Sequence, residues 1–177
     1  MISITYKENC SGCNGCFNAC PQNCISMITD KEGFSYPEVD KYKCIECGLC
    51  EKVCPIINKK EVINKPKVYG CLNKNEEIRK KSSSGGVFYL LAKLVICDGG
   101  VVFGAAFNSD FNVYHGYTEK EKDIAKFMGS KYVQSEIGIT FKKAKEFLLK
   151  GRKVLFSGTP CQIAGLKNYL QIGRAHV

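Results

Sequence analysis

The sequence has no apolar segment long enough to span a bilayer: its longest run, Val87 to Cys97, is interrupted by Lys93 and falls well short of the roughly 20 residues a spanning helix needs. No membrane span is expected. A secretory signal is also missing from the N-terminus, which points to a cytoplasmic protein in a reducing compartment. Histidine is scarce, two in 177 residues, and one of them, His176, lies in the last seven. His115 stands between Tyr114 and Gly116 with no general-base partner and no Ser-His-Asp arrangement, so a structural histidine is expected and hydrolysis is not. The glycine-rich fingerprints G-x-G-x-x-G and G-x-x-x-x-G-K-[ST] are absent too.

The chain is 45% hydrophobic and 24% charged, the make-up of a folded protein. Its twelve cysteines are about 7% of the residues, just under the level of short disulfide scaffolds. Nine of the twelve precede residue 55. That crowding, with C-x-x-C spacings, favours metal chemistry over disulfides. The formal charge of +9 counts every thiol as neutral. Four thiolates on a 4Fe-4S core leave about −2 per site, so two sites bring the balance to roughly +5. The remaining lysine is scattered, as on a solvated surface or a docking face for an acidic redox partner, and nucleic acid is not expected.

The fold class expected is α+β, a ferredoxin-like two-cluster domain over residues 1–57 followed by an incomplete mixed α/β domain over 67–170. Ile25 to Thr29 and Phe34 to Val39 alternate around Asp30-Lys31-Glu32-Gly33, which predicts a hairpin. Residues 58–66 are polar, end in Pro66 and read as a linker. Val68 to Leu72 is expected as a strand, and Gly85 to Cys97 as a helix capped by Ser84 and closed by Gly99 and Gly100. A strand pair is predicted over Val101 to Phe107 and Val113 to Tyr117. An amphipathic helix over Ile137 to Lys150 follows, then a buried strand over Val154 to Phe156 that turns into a last helix.

Cys10, Cys13, Cys16, Cys20 and Pro21 form C-x2-C-x2-C-x3-C-P, and Cys44, Cys47, Cys50, Cys54 and Pro55 repeat it in full. Three thiolates on one tight loop suit three irons of a cubane, while the fourth points to the other cluster. Cluster one is thus expected on Cys10, Cys13, Cys16 and Cys54, and cluster two on Cys44, Cys47, Cys50 and Cys20. Gly12, Gly15 and Gly48 would let backbone N–H groups approach the sulfurs and stabilise the reduced form. Zinc is the alternative for four thiolates, but it more often takes two C-x2-C pairs. Residues 6–55 resemble a bacterial-type 2(4Fe-4S) ferredoxin, which implies single-electron transfer. Cys24, just after the first quartet, is expected to be core packing, as are Cys71 and Cys97.

Three later stretches, 81–88 around Ser82-Ser83-Ser84-Gly85-Gly86, 129–135 around Lys131, and 157–166 around Gly158-Thr159-Pro160-Cys161, resemble the family of coenzyme F420 hydrogenase/dehydrogenase beta subunits. The likeness covers nearly all of residues 1–170. It implies an oxidoreductase that uses FAD between a hydride carrier such as coenzyme F420 and iron-sulfur clusters, with a redox partner protein or subunit. By it, Ser83, Ser84, Gly85 and Gly86 are candidates for the FAD phosphates, and Lys131, Gly158, Thr159 and Cys161 lie near the flavin. Cys161, at a helix N-terminus, is expected to be more reactive than most thiols, as an extra cluster ligand, beside the flavin or packed inertly. The other reading is a non-enzymatic ferredoxin-type carrier whose α/β part docks a partner. Residues 171–177 do not continue the last helix, and Ile172 to Val177 is what a common sequencing adapter encodes. The natural frame is therefore expected to be cut near Leu170, with the tail an artefact and the family's C-terminal domain missing from this piece.

Overall fold

A computed structural model describes residues 1–4, 6–59 and 66–172. In chain order the elements are a 3₁₀ turn (Lys7–Asn9), α1 (Gly15–Ala19), β1 (Ile25–Thr29), β2 (Ser35–Val39), α2 (Leu49–Lys52), α3 (Glu76–Lys80), α4 (Val87–Cys97), β3 (Val101–Phe107), β4 (Val113–Thr118), a second 3₁₀ segment (Glu121–Phe127), α5 (Thr140–Leu149), β5 (Val154–Phe156) and α6 (Pro160–Leu170). They form two compact units, Met1–Glu61 with Thr159–Val177, and Val62–Gly158. Most of the expected linker and of the expected adapter-derived tail lie outside the described residues.

In the first unit, β1 and β2 pair antiparallel as the predicted hairpin, with Ile25 opposite Val39 and Thr29 opposite Ser35. Asp30 sets the turn: its Oδ1 accepts from the N–H groups of Glu32 (3.0 Å) and Phe34 (3.1 Å). Its carboxylate pKa is lowered against the opposing effect of burial, by Lys7 and by those N–H groups. One core cluster of this unit is rich in sulfur: Cys16, Cys20, Cys24 and Cys50 are buried together with Ile2 and Ile25, and Cys13, Val53 and Leu166 are buried elsewhere in the unit. Ile4, Phe17 and Val39 pack against that cluster, so its apolar carbon is modest for a domain core. α6 packs in the same unit, against α1, with Gly165 close to Gly15.

The second unit is a three-stranded sheet in the order β4-β3-β5. β3 and β4 are antiparallel, while β5 runs parallel to β3. The central strand is the most buried: Val101, Val102 and Phe103 have no exposed surface. Alternation sends Val102 towards Ala92 of α4 and Ile124. Phe103 stacks on Phe156 with ring centroids 5.3 Å apart and meets the edge of Phe147 of α5 at 6.2 Å.

Two expectations are corrected. Val68 to Leu72 forms no strand; Val68, Tyr69 and Leu72 are exposed and no sheet partner reaches them. Apolar alternation alone does not make a strand when its backbone has nothing to pair with. The predicted helix from Gly85 starts at Val87 instead, with Gly86 in the left-handed region at φ 70° as its cap. Ser84 is not the cap and holds a φ of 126°. The reason is packing, because a Cβ at Gly85 would collide with the Cys71 carbonyl oxygen, and the Asn73 N–H donates to the Gly85 carbonyl at 2.6 Å.

Candidate metal centre

The two cysteine loops share one backbone pattern. In the first, Gly12 and Asn14 have φ near 60°; in the second, Glu46 and Gly48 have φ of 51° and 71°. These are corresponding places in the two motifs. Alternating left-handed residues curl a chain into a concave nest with its N–H groups turned inward, suited to anionic sulfur. Cys16 and Cys50 then lie in the opening turns of α1 and α2.

Two cavities result, both inside the first unit. One is bounded by Cys10, Cys13, Cys16 and Cys54, with Ile2, Ile4, Met27 and Pro37 as apolar wall. The other is bounded by Cys20, Cys44, Cys47 and Cys50, and also by Cys24. Both open to solvent at the mouth. Each draws three cysteines from one motif and the fourth from the other. Among the described residues no group of three His, Cys, Asp or Glu side chains converges as a single metal ion requires. Four thiols around each space are the donor set that a 4Fe-4S core takes.

The electrostatics are those of a site waiting to be charged. Burial pushes the Cys13 thiol up to about 11 and Cys16 up to about 12, although the N–H groups of Gly15 and Phe17 oppose it. Burial likewise raises Cys10. Metal binding must therefore expel these protons. Cys20 differs: burial again opposes ionisation, but the N–H groups of Cys24, Gln22 and Asn23 and the Cys24 thiol bring it below the ordinary thiol value. The Ile2 N–H donates to Cys50 Sγ at 3.2 Å.

The remaining candidates fall in both units. Ser83, Ser84, Gly85, Gly86, Lys131 and Gly158 belong to the second, and Thr159 and Cys161 to the first. Ser83 Oγ accepts from the Ser130 N–H at 2.5 Å, which joins two of the three family-like stretches. Lys131 is engaged elsewhere, donating to the carbonyls of Met128 (2.8 Å) and Lys126 (3.2 Å), and burial lowers its pKa. Thr159 and Gln162 form a capping box at the start of α6, with Pro160 in the first turn. Cys161 Sγ lies 3.0 Å from Thr159 Oγ1, and its thiol is near enough to Cys13 to add to the dominant effect of burial there.

His115 is buried, with Nε2 2.8 Å from the Ser157 carbonyl oxygen and Nδ1 2.6 Å from Ser135 Oγ. A carbonyl only accepts, so Nε2 carries the proton and Nδ1 accepts from Ser135. Cys71 and Cys97 are exposed, contrary to expectation. Cys71 belongs to the unpaired Val68 to Leu72 stretch, and Cys97 ends α4 on its outer side.

Two residues escaped the sequence reading. Asn73 is 3% exposed and its Oδ1 accepts from the Asn75 N–H at 2.9 Å, yet its Nδ2 has no partner among the described residues. Gly86, the cap of α4, lies against its Cβ. Gly165 is the second, since a Cβ there would stand 2.9 Å from Cys13 Sγ. Neither carries a motif signal, because both depend on contacts distant in sequence.

Residues 9–57 match the 4Fe-4S dicluster domain family. The chain is 22% identical over 174 residues to an F(420)H(2) dehydrogenase subunit of Methanosarcina mazei, covering 92% of this chain and 49% of that one. An uncharacterized protein of Methanocaldococcus jannaschii is 27% identical over 195 residues, covering 92% and 53%. Pyruvate synthase subunit PorD of Methanothermobacter marburgensis is 38% identical over 50 residues, covering 28% and 52%. The chain spans about half the length of the first two of these curated relatives. No described helix is long and apolar enough to cross a membrane. With its dicluster domain, the chain is an iron-sulfur electron-transfer protein with distant relatives among subunits of oxidoreductase complexes.

Proposed function

We propose that this chain is the electron-transfer portion of an iron-sulfur flavoprotein oxidoreductase, linking a hydride carrier such as coenzyme F420, by way of FAD, to two 4Fe-4S clusters. The observation that carries it is the pair of four-thiol cavities. In this reading Cys10, Cys13, Cys16 and Cys54 hold one cluster, and Cys44, Cys47, Cys50 and Cys20 the other. When bound, the clusters supply storage and release of one electron at a time. The inward N–H groups stabilise negative charge on the sulfurs, and the apolar walls keep water away. A redox partner protein or subunit would exchange those electrons with the chain.

The flavin part rests on the loop before α4. An unpartnered, buried Asn73 Nδ2 beside an eleven-residue helix capped by glycine fits a phosphate: the amide and the first N–H groups of α4 are donors of the right kind. Ser83, Ser84, Gly85 and Gly86 would line that site. The name of the Methanosarcina relative, an F(420)H(2) dehydrogenase subunit, supports F420 as the carrier. One observation favours the second reading, a ferredoxin-type carrier without flavin: Lys131 commits two of its three ammonium donors to the carbonyls of Lys126 and Met128.

Iron and flavin per chain, after anaerobic purification with both supplied, separate the readings. About 8 irons with one flavin supports the enzyme. About 8 irons with none leaves the carrier, and zinc in their place ends both.

A further inference from the structure

The second cavity has five thiols for four ligand positions. Cys24 Sγ lies 3.3 Å from Cys20 Sγ, the Cys24 N–H points at the same sulfur at 3.4 Å, and Cys24 is 6% exposed. It lines the cavity with Cys20, Cys44, Cys47 and Cys50. A side chain so placed is not inert packing.

We propose that the Cys24 thiol donates a hydrogen bond to the Cys20 sulfur and thereby sets the potential of the second cluster apart from that of the first. The inference rests on Cys20 being a cluster ligand. A metal-bound Cys20 has lost its proton and can only accept, so the S–H belongs to Cys24. The internal repeat supplies the contrast. Cys24 stands four residues after Cys20; Asn58 stands at the same place after Cys54. Asn58 commits its side-chain amide to the backbone, donating to the carbonyls of Glu51 (2.7 Å), Cys54 (3.1 Å) and Lys52 (3.4 Å). The fourth ligand of cluster two therefore has a side-chain donor where its counterpart has an amide committed to the backbone. A donor to a ligand sulfur stabilises the reduced, more negative state, and so raises the potential.

The test is an anaerobic redox titration, followed by electron paramagnetic resonance, of the iron-loaded chain and its Cys24→Ala and Cys24→Ser variants. All three should hold about 8 irons. In Cys24→Ala one potential should shift to more negative values while the other stays. Cys24→Ser, which keeps an O–H donor, should restore most of the shift. Should Cys24→Ala fail to load, Cys24→Val replaces it as an apolar variant closer in volume. Unchanged potentials, an equal shift of both, or serine behaving as alanine overturns the proposal. An apolar variant holding only about 4 irons makes Cys24 a ligand and overturns it too. If the unaltered chain does not load about 8 irons, the ligand assignment beneath the proposal falls first.

Discussion

Replacing Gly165 by alanine sets two effects of known sign against each other. Gly165 lies inside α6, where glycine costs about 1 kcal/mol relative to alanine, so on helix propensity alone the substitution should stabilise the chain. The new Cβ, however, would stand 2.9 Å from Cys13 Sγ, 3.2 Å from Cys13 Cβ and 3.5 Å from its carbonyl oxygen. Cys13 is buried in the tight loop of the first cavity and cannot swing aside. Relief requires α6 to lift off α1, and overpacking of this order costs about 1–3 kcal/mol. The net expectation is a loss of up to about 2 kcal/mol for Gly165→Ala. Gly165→Val, with two further methyl groups at the same place, should lose about 3 kcal/mol. The assay is guanidinium unfolding of the iron-loaded chain under anaerobic conditions, read by the visible absorbance of the clusters. A stabilisation of about 1 kcal/mol in the alanine variant, with valine tolerated, would refute the contact between α6 and Cys13.

Burial lowers the pKa of His115 below its ordinary 6.5. The stabilisation it confers is complete above about 6.5, the unfolded value, and is lost as the pH falls through the lower folded value; unfolding measured from pH 7.5 down to 5 should show that loss, and His115→Gln should flatten it. Phe103→Ala empties the centre of the sheet, where the ring touches Tyr117, Phe147 and Phe156, and should cost about 3–5 kcal/mol in denaturant titration. Thr159→Ala removes half of the capping box of α6 and should cost about 1 kcal/mol, with Thr159→Ser recovering most of it.

Much of this was readable from order and spacing. The hairpin followed from alternation on either side of Asp30, whose turn chemistry is local. β3, β4, β5, α5 and α6 followed from periodicity and from the punctuation of Gly151 and Pro160. The dicluster domain was legible because the C-x2-C-x2-C-x3-C-P spacing is written along the chain twice. What failed was set by three-dimensional company. Val68 to Leu72 has strand-like residues without a neighbouring strand. Ser84 is a good cap by type, yet the approach of Gly85 to Cys71 moves the helix start to Val87. Cys24 looked like filler until its sulfur was seen beside that of Cys20, and Asn73 is notable only because its amide is buried and unpaired.

The paired loops distribute their backbone cost in opposite order. The first places glycine at the earlier left-handed position and Asn14 at the later; the second places Glu46 first and Gly48 after it. Asparagine tolerates that conformation, whereas a glutamate held there costs roughly 1–2 kcal/mol. Emptied of metal, the two halves of the duplication are therefore unequal partners. The amino-terminal loop keeps its curl at little cost, while its companion carries the strain of Glu46. The repeat in sequence is thus not a repeat in backbone cost: one loop is at ease in its curl and the other is held in it.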